Sequence, residues 1–226
     1  MRTLVVSLAF FSFVVGQAGR VGFAADPPAV EITAEDAFAR LQDGNRRFIA
    51  DKAADREAYS TQRKKTAQGQ HPCAIVLTCS DSRVVPELIF NQQLGDVFVV
   101  RVAGNVTDPI VLGSMEYAVV HLHAPLVIVL GHTKCGAVKA AEEGGQLEGN
   151  LGELIKQVHV GDNLPADKDQ AVEAGIRNNV AYQTKTLTTA SKVLAEYAKD
   201  GRIRLMGGVY SLESGKVEWL KSELPQ

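Results

Sequence analysis

Four short apolar runs, separated by helical patterns, most constrain the fold of this chain. Each run is continuously apolar rather than alternating, which is typical of strands buried on both faces of a parallel sheet. The predicted strands cover residues 74–78, 97–102, 126–130 and 203–209. Strands that alternate with helices predict an α/β fold, with a central, mostly parallel β-sheet flanked by helices.

The segments between these strands have helical spacing or capping signals. Thr33 precedes an acidic turn and predicts the N-cap of a first helix that ends near Ala50. Further helical segments are predicted at residues 108–123, at 137–179 with interruptions at glycines and Pro165, and at about 181–199. Residues 51–70 are polar and predict a surface mixture of helix and loop. Because no repeat or linker interrupts the pattern, residues 26–226 are predicted to form a single domain.

The first 25 residues do not fit this domain. A short basic start at Arg2 is followed by an apolar run over residues 4–15 and then by small residues up to Ala25. This order predicts a cleaved secretory signal peptide, and therefore a protein exported to the periplasm or secreted. The alternative is an N-terminal membrane anchor, but the apolar run is shorter than the roughly 20 residues that a spanning helix needs.

Composition narrows the possible partners. The chain has 46% hydrophobic and 22% charged residues and a formal net charge of −2, all ordinary values for a globular protein. No basic run with interleaved aromatic residues is present, so a nucleic-acid partner is not expected. No segment after residue 25 has the pattern of a membrane span, and a small-molecule substrate is the expected partner.

Two sequence motifs follow predicted strands directly. Cys79 comes after the first strand, and His132 and Cys135 come after the third. Because sites in open α/β sheets lie at the carboxyl ends of strands, we expect these three side chains to converge. Two thiolates and an imidazole suit zinc, and three protein ligands with one open position are typical of a catalytic zinc ion. The sequence therefore predicts one Zn²⁺ per chain at Cys79, His132 and Cys135.

The same motifs carry groups suited to catalysis. Zinc lowers the pKa of bound water and yields a hydroxide nucleophile near neutral pH. Asp81 is predicted to accept a hydrogen bond from that hydroxide and orient it, while Arg83 keeps Asp81 ionised. Cys135 opens a predicted helix whose dipole favours a thiolate, and Gly136 lets the backbone pass close to the metal.

The other cysteine and histidine signals have simpler interpretations. Cys73 lies at the start of the first strand, roughly 20 Å from Cys79 at about 3.3 Å per residue, so it is predicted to be a buried side chain and no ligand. An exported protein also permits a Cys79–Cys135 disulfide, in which case the chain would be a stabilised binding module. His121 and His123 lie two apart on a predicted helix and do not share a face, which indicates surface or interface histidines.

The motif pair resembles the signature of the β-class carbonic anhydrases. The similarity covers nearly the whole segment after residue 25, and it extends through 41–48, 101–105, 116–118 and 207–210. It implies zinc, reversible hydration of carbon dioxide to bicarbonate and a proton, and homodimers or tetramers of dimers. It also implies that residues 32–50 form an arm around a neighbouring subunit, that Gln93 donates a hydrogen bond to bound substrate, and that Gly136 lies at the substrate site.

Two related functions remain open at this stage. A relative that hydrolyses carbonyl sulfide or carbon disulfide would use the same zinc motif on another small, linear, neutral substrate. A non-catalytic zinc-binding or carbon-dioxide-sensing relative is a further alternative, although pure zinc retention has no use for Asp81 and Arg83. The sequence also leaves open whether Asp81 faces the hydroxide or occupies the metal's fourth position at rest.

Overall fold

A single five-stranded sheet organises the chain. The computed structural model describes residues 32–52, 57–145 and 147–220, so the predicted signal peptide lies outside the described residues. The strands are β1 (Ala74–Thr78), β2 (Val97–Arg101), β3 (Leu126–His132), β4 (Arg204–Tyr210) and β5 (Val217–Trp219). Their order in the sheet is β2-β1-β3-β4-β5, with the first four parallel and β5 antiparallel to β4. The prediction of a mostly parallel sheet is confirmed.

Eight α-helices are described around this sheet. They are α1 (Ala34–Ile49), α2 (Tyr59–Thr66), α3 (Pro86–Ile89), α4 (Pro109–His121), α5 (Gly136–Glu143), α6 (Gly149–Ile155), α7 (Lys168–Ala190) and α8 (Lys192–Lys199). None of the described helices is both long enough and apolar enough to cross a membrane. The predicted N-cap is confirmed, because the Thr33 side chain accepts a hydrogen bond from the backbone N–H of Asp36.

The prediction of one helix over residues 181–199 is wrong. Ser191 has extended backbone angles (φ −114°, ψ 115°) that end α7 and begin α8. Its hydroxyl accepts a hydrogen bond from the backbone N–H of Leu194, which satisfies one of the free donors at the start of α8. A serine inside a helical pattern therefore acts here as a cap that divides two helices.

The two faces of the sheet carry separate hydrophobic layers. All five residues of β1 are buried, and successive side chains point to opposite faces. Ile75 and Leu77 pack in the layer that includes residues of α4, α7 and α8. Val76 packs in the opposite layer with Ala37 and Leu41 of α1. Helix α1, which belongs to the expected N-terminal arm, thus packs on the sheet of its own chain.

The parallel pairing brings the two sequence motifs to one edge of the sheet. β1 pairs with β3 so that Thr78 lies opposite Leu130. We call the side of the sheet at which the parallel strands end the carboxyl edge, and the side at which they begin the amino edge; neither term refers to an edge strand. Cys79 and His132 both lie at the carboxyl edge, as α/β topology requires of strand ends.

Candidate metal centre

Three side chains converge at the carboxyl edge. One ligand atom each from Cys79, His132 and Cys135 lies within 4.8 Å of the other two. All three residues are buried, with exposed fractions of 5%, 0% and 1%. Cys79 follows β1, His132 ends β3, and Cys135 is the N-cap of α5. Both cysteines are free thiols, so the structure does not have the disulfide that the sequence left open.

The ring of His132 leaves one nitrogen for a metal. Its Nδ1 lies 2.9 Å from the Thr133 carbonyl oxygen, and this contact assigns the ring proton to Nδ1. Its Nε2 is buried and has no hydrogen-bond partner among the described residues. Asp81 Oδ2 lies 3.9 Å from Nε2, which is too far for a hydrogen bond. A buried lone pair beside two sulfurs is a donor set that fits zinc, and a metal would satisfy the unpaired nitrogen.

The two sulfur atoms also indicate that a cation binds beside them. A hydrogen bond from the Cys135 thiol lowers the pKa of Cys79 to about 4. The same contact, together with burial, raises the pKa of Cys135 well above its usual range. The pair therefore shares one proton, and a second buried thiolate needs a positive charge beside it. The backbone N–H of Gly104 also donates to Cys79 Sγ, at 3.4 Å.

Asp81 and Arg83 form the predicted pair next to this cluster. The Arg83 guanidinium donates from Nε to Asp81 Oδ1 at 2.9 Å and from Nη2 to Oδ2 at 2.7 Å. The backbone N–H of Arg83 adds a third bond to Oδ1 at 2.9 Å. These bonds hold the pKa of Asp81 well below its usual range. In this structure Asp81 is thus an ionised carboxylate paired with arginine.

Arg101 is a part of the site for which the sequence analysis assigned no role. Its Nη2 donates to the Asp81 carbonyl oxygen at 2.7 Å, and its Nε donates to the Cys79 carbonyl oxygen at 3.3 Å. Both bonds go to the backbone that carries the ligand and the carboxylate, so Arg101 fixes the path of that loop. Its place at the end of β2, opposite Thr78, is the signal that would have found it.

Comparison with known proteins decides the family. The family model described as carbonic anhydrase matches residues 74–217. A protein of Mycolicibacterium smegmatis named carbonic anhydrase is 39% identical over 196 residues, which span 83% of this chain and 93% of that protein. This chain belongs to the carbonic anhydrase family. Carbonic anhydrase 2 of Mycobacterium tuberculosis is 37% identical over 185 residues, 80% of this chain and 89% of that protein.

Solved structures of carbonic anhydrases agree in fold. The β-carbonic anhydrase CafA of Aspergillus fumigatus has a TM-score of 0.66 at 28% identity, covering 84% of this chain and 93% of that chain. The Coccomyxa β-carbonic anhydrase in complex with acetazolamide has a TM-score of 0.64 at 28% identity, covering 81% and 86%. The predicted resemblance to the β class and the predicted fold class are both confirmed.

Gln93 does not join the carbonic anhydrase site within one chain. It precedes β2, which runs parallel to β1, so it lies at the amino edge of the sheet. Its backbone N–H donates to Asp96 Oδ2 at 2.8 Å, while Cys79 lies beyond the far end of β1. Five strand residues at about 3.3 Å each separate these ends by roughly 17 Å. Within one chain Gln93 therefore lies away from the three side chains, and its contact with substrate stays a prediction.

Gly136 lies beside the candidate metal centre, whereas Cys73 lies away from it. Gly136 is the first residue of α5, beside Cys135 as predicted. A Cβ built on it would meet nothing within 4 Å, so the described residues do not require glycine there. Cys73 is 2% exposed and stands at the amino edge, outside the group of Cys79, His132 and Cys135. The prediction that Cys73 is a buried side chain away from the ligands is confirmed.

Proposed function

We propose that this chain catalyses the zinc-dependent, reversible hydration of carbon dioxide to bicarbonate and a proton. One observation carries the proposal: two buried thiols and the unpaired Nε2 of His132 converge beside the ionised carboxylate of Asp81. Cys79, His132 and Cys135 would hold the metal, and their number leaves one coordination position open. Membership of the carbonic anhydrase family supports carbon dioxide as the substrate.

The chemistry divides between the metal and the chain. When bound, zinc supplies the Lewis acidity that lets water act as a nucleophile near neutral pH. Asp81 accepts a hydrogen bond from the attacking water and so directs its lone pair toward the substrate carbon. Arg83 keeps both carboxylate oxygens in place through its two side-chain bonds. His132 is oriented by its bond to the Thr133 carbonyl, which keeps Nε2 turned toward the sulfurs.

The low pKa of Asp81 limits its role. A carboxylate whose pKa lies well below its usual range cannot hold a proton at neutral pH. Asp81 therefore acts as a hydrogen-bond acceptor that positions water, and the released proton passes to another group or to buffer. Its role is orientation, since a general base would need a pKa nearer the working pH.

Stopped-flow measurement of carbon dioxide hydration, with metal content determined on the same sample, tests the proposal. We expect about one zinc ion per chain and hydration that is lost when the metal is removed. Acetazolamide, present in the solved Coccomyxa complex, should inhibit the reaction. Zinc-loaded protein without hydration would contradict the proposal, and hydrolysis of carbonyl sulfide or carbon disulfide instead would identify the alternative substrate class.

We also propose that the chain is exported and that it assembles as a homodimer or a tetramer of dimers. The signal-peptide pattern of residues 1–25 supports export, and the β-class resemblance supports assembly. The N-terminal sequence of protein recovered from the periplasm or medium tests the first, and a start near residue 26 is expected. Light scattering tests the second, and a monomer would contradict it. Metal loading before export would protect the two thiols from oxidation.

A further inference from the structure

The hydrogen bond to Cys79 depends on a loop that needs external support. Gly104, which donates to Cys79 Sγ, lies in a short 3₁₀ turn (Ala103–Asn105) with φ at +70°. A Cβ on Gly104 would lie 3.0 Å from a Val158 methyl group and 3.2 Å from Ala137. Only glycine therefore fits this crowded position in the left-handed region. Because glycine has no side chain, it does not by itself restrict the backbone conformation of the turn.

Helix α7 supplies the support. Asn179, which is fully buried, donates from Nδ2 to the Gly104 carbonyl oxygen at 2.8 Å. Its Oδ1 accepts the backbone N–H of His159 at 3.0 Å. The Asn179 side chain thus links the turn beside Cys79 to the segment that contains His159. That segment packs against the turn, because Val158 precedes His159 and contacts the Gly104 position.

Gln183 extends the same network one helical turn further along. Its Nε2 donates to the Gln157 carbonyl at 2.8 Å and to Asn179 Oδ1 at 3.3 Å. Its Oε1 accepts both the backbone N–H of Thr107, at 3.0 Å, and the Thr107 hydroxyl, at 2.8 Å. The loop is therefore held at Gly104 and at Thr107, and a buried polar network of this kind is rigid when every member is paired.

We propose that Asn179 is a positioning residue for the metal centre, acting through the Gly104 backbone on the Cys79 sulfur. The proposal deepens the proposed function, since it concerns the centre that would perform the hydration. A hydrogen bond to a coordinating sulfur reduces the electron density that the sulfur donates to the metal and fixes its direction. Without Asn179, the Gly104 N–H no longer keeps a fixed direction toward Cys79 Sγ. The Cys79 sulfur would then bind the metal in a less defined orientation.

Cobalt-substituted protein tests this role without relying on activity. In Asn179→Leu we expect the affinity for Co²⁺ and Zn²⁺ to fall by about 10- to 100-fold, the usual effect of losing an outer-shell partner. The thiolate-to-cobalt absorption band should move to lower energy, because the sulfur donates more strongly once its hydrogen bond weakens. Asn178→Leu is the matched control: Asn178 is exposed, lies on the same helix and donates to the Val160 carbonyl at 2.8 Å. This control should keep the wild-type band and affinity.

The outcomes separate a positioning role from a structural one. An unshifted band in Asn179→Leu, or an equal shift in both variants, would overturn the proposal. If Asn179→Leu does not fold, Asn179→Ala carries the same two readouts, and an unshifted band in it would also overturn the proposal. Failure of the proposed function is seen separately, as zinc-loaded wild-type protein that does not hydrate carbon dioxide.

Discussion

The two edges of the sheet differ in the buried groups that converge there. A cavity of about 1510 Å³ lies at the amino edge, where Arg40 and Asp96 form an ion pair at 2.6 Å. At the carboxyl edge His132 Nε2 has no partner among the described residues, and two sulfurs share one proton. An unpaired imidazole nitrogen beside two thiols, rather than a cavity, therefore marks the candidate metal centre in this fold.

The two cysteines that flank β1 show the same contrast on one strand. Cys73 and Cys79 are almost equally buried, at 2% and 5% exposure. Burial raises the pKa of Cys73, whereas the hydrogen bond from Cys135 lowers the pKa of Cys79 to about 4. Cys79 and Cys73 thus differ in their neighbours rather than in their burial, since only Cys79 lies beside His132 and Cys135. The following predictions test that difference from the largest effect to the smallest.

Exchanging each cysteine for serine should give the largest difference. Cys135→Ser removes a ligand from the centre, and we expect loss of zinc and of hydration beyond the roughly 100-fold that an outer-shell change causes. Cys73→Ser should keep zinc and activity and lose only about 1–3 kcal/mol of stability, since it buries a hydroxyl. Metal analysis and stopped-flow rates check both variants. Equal zinc loss in the two would mean that the edges do not differ as described.

A second comparison sets Asp81 against Gln93. Asp81→Asn should retain zinc but lose about 10²-fold in kcat, because the neutral amide no longer orients the attacking water. If each chain builds its own site, Gln93→Ala should change kcat/KM by less than about twofold, well under 1 kcal/mol, because Gln93 lies at the amino edge. A large rise in KM for Gln93→Ala would show that this residue reaches the site of another subunit.

The pH dependence of stability should single out Asp81. A carboxyl group whose folded pKa is depressed contributes stability above its unfolded pKa of about 3.9, and that contribution is lost as pH falls further. Wild-type protein should therefore lose free energy of unfolding below about pH 4 more steeply than Asp81→Asn. Glu218→Gln is the control, since Arg177 also lowers the pKa of Glu218 but that carboxylate is largely exposed. Parallel curves for wild type and Asp81→Asn, from urea unfolding at each pH, would contradict the assigned pairing.

The smallest effect should follow removal of the cap at the start of α8. Ser191→Ala deletes the acceptor of the Leu194 N–H and a 2.6 Å bond to Glu116. We expect a loss of about 1 kcal/mol in the free energy of unfolding with no change in zinc affinity. Urea unfolding and metal titration of the same sample check this. Reduced zinc affinity would show that the stability of α8, away from the metal centre, affects zinc binding.

The convergence of Cys79, His132 and Cys135 was predictable because each belongs to a local motif at a strand end. Continuous apolar runs located β1 and β3, and parallel pairing alone then placed Cys79 beside His132. The same reasoning places Gln93 at the opposite edge of its own chain, since a residue before a parallel strand lies at the other edge from one after its neighbour. Strand β5 was not predicted because its three residues are too few for a pattern.

The supporting contacts were not predictable from local patterns. Asn179 and Gly104 are 75 residues apart, and Arg101 reaches the Asp81 carbonyl across 20 residues. Their bonds depend on how helix α7 and strand β2 pack, which no spacing rule describes. The break at Ser191 was missed for a related reason, because the helical pattern continues on both sides of it.

X-ray absorption at the zinc edge of the purified protein tests most directly that the carboxyl edge is a catalytic metal centre. We expect two sulfur ligands, one imidazole nitrogen and one light atom from solvent, as in a catalytic zinc site with an open position. In Cys135→Ser the two-sulfur signal should be absent, while Cys73→Ser should give the wild-type spectrum. A zinc ion with no sulfur ligands, or one whose spectrum changes in Cys73→Ser, would show that zinc does not bind at Cys79, His132 and Cys135.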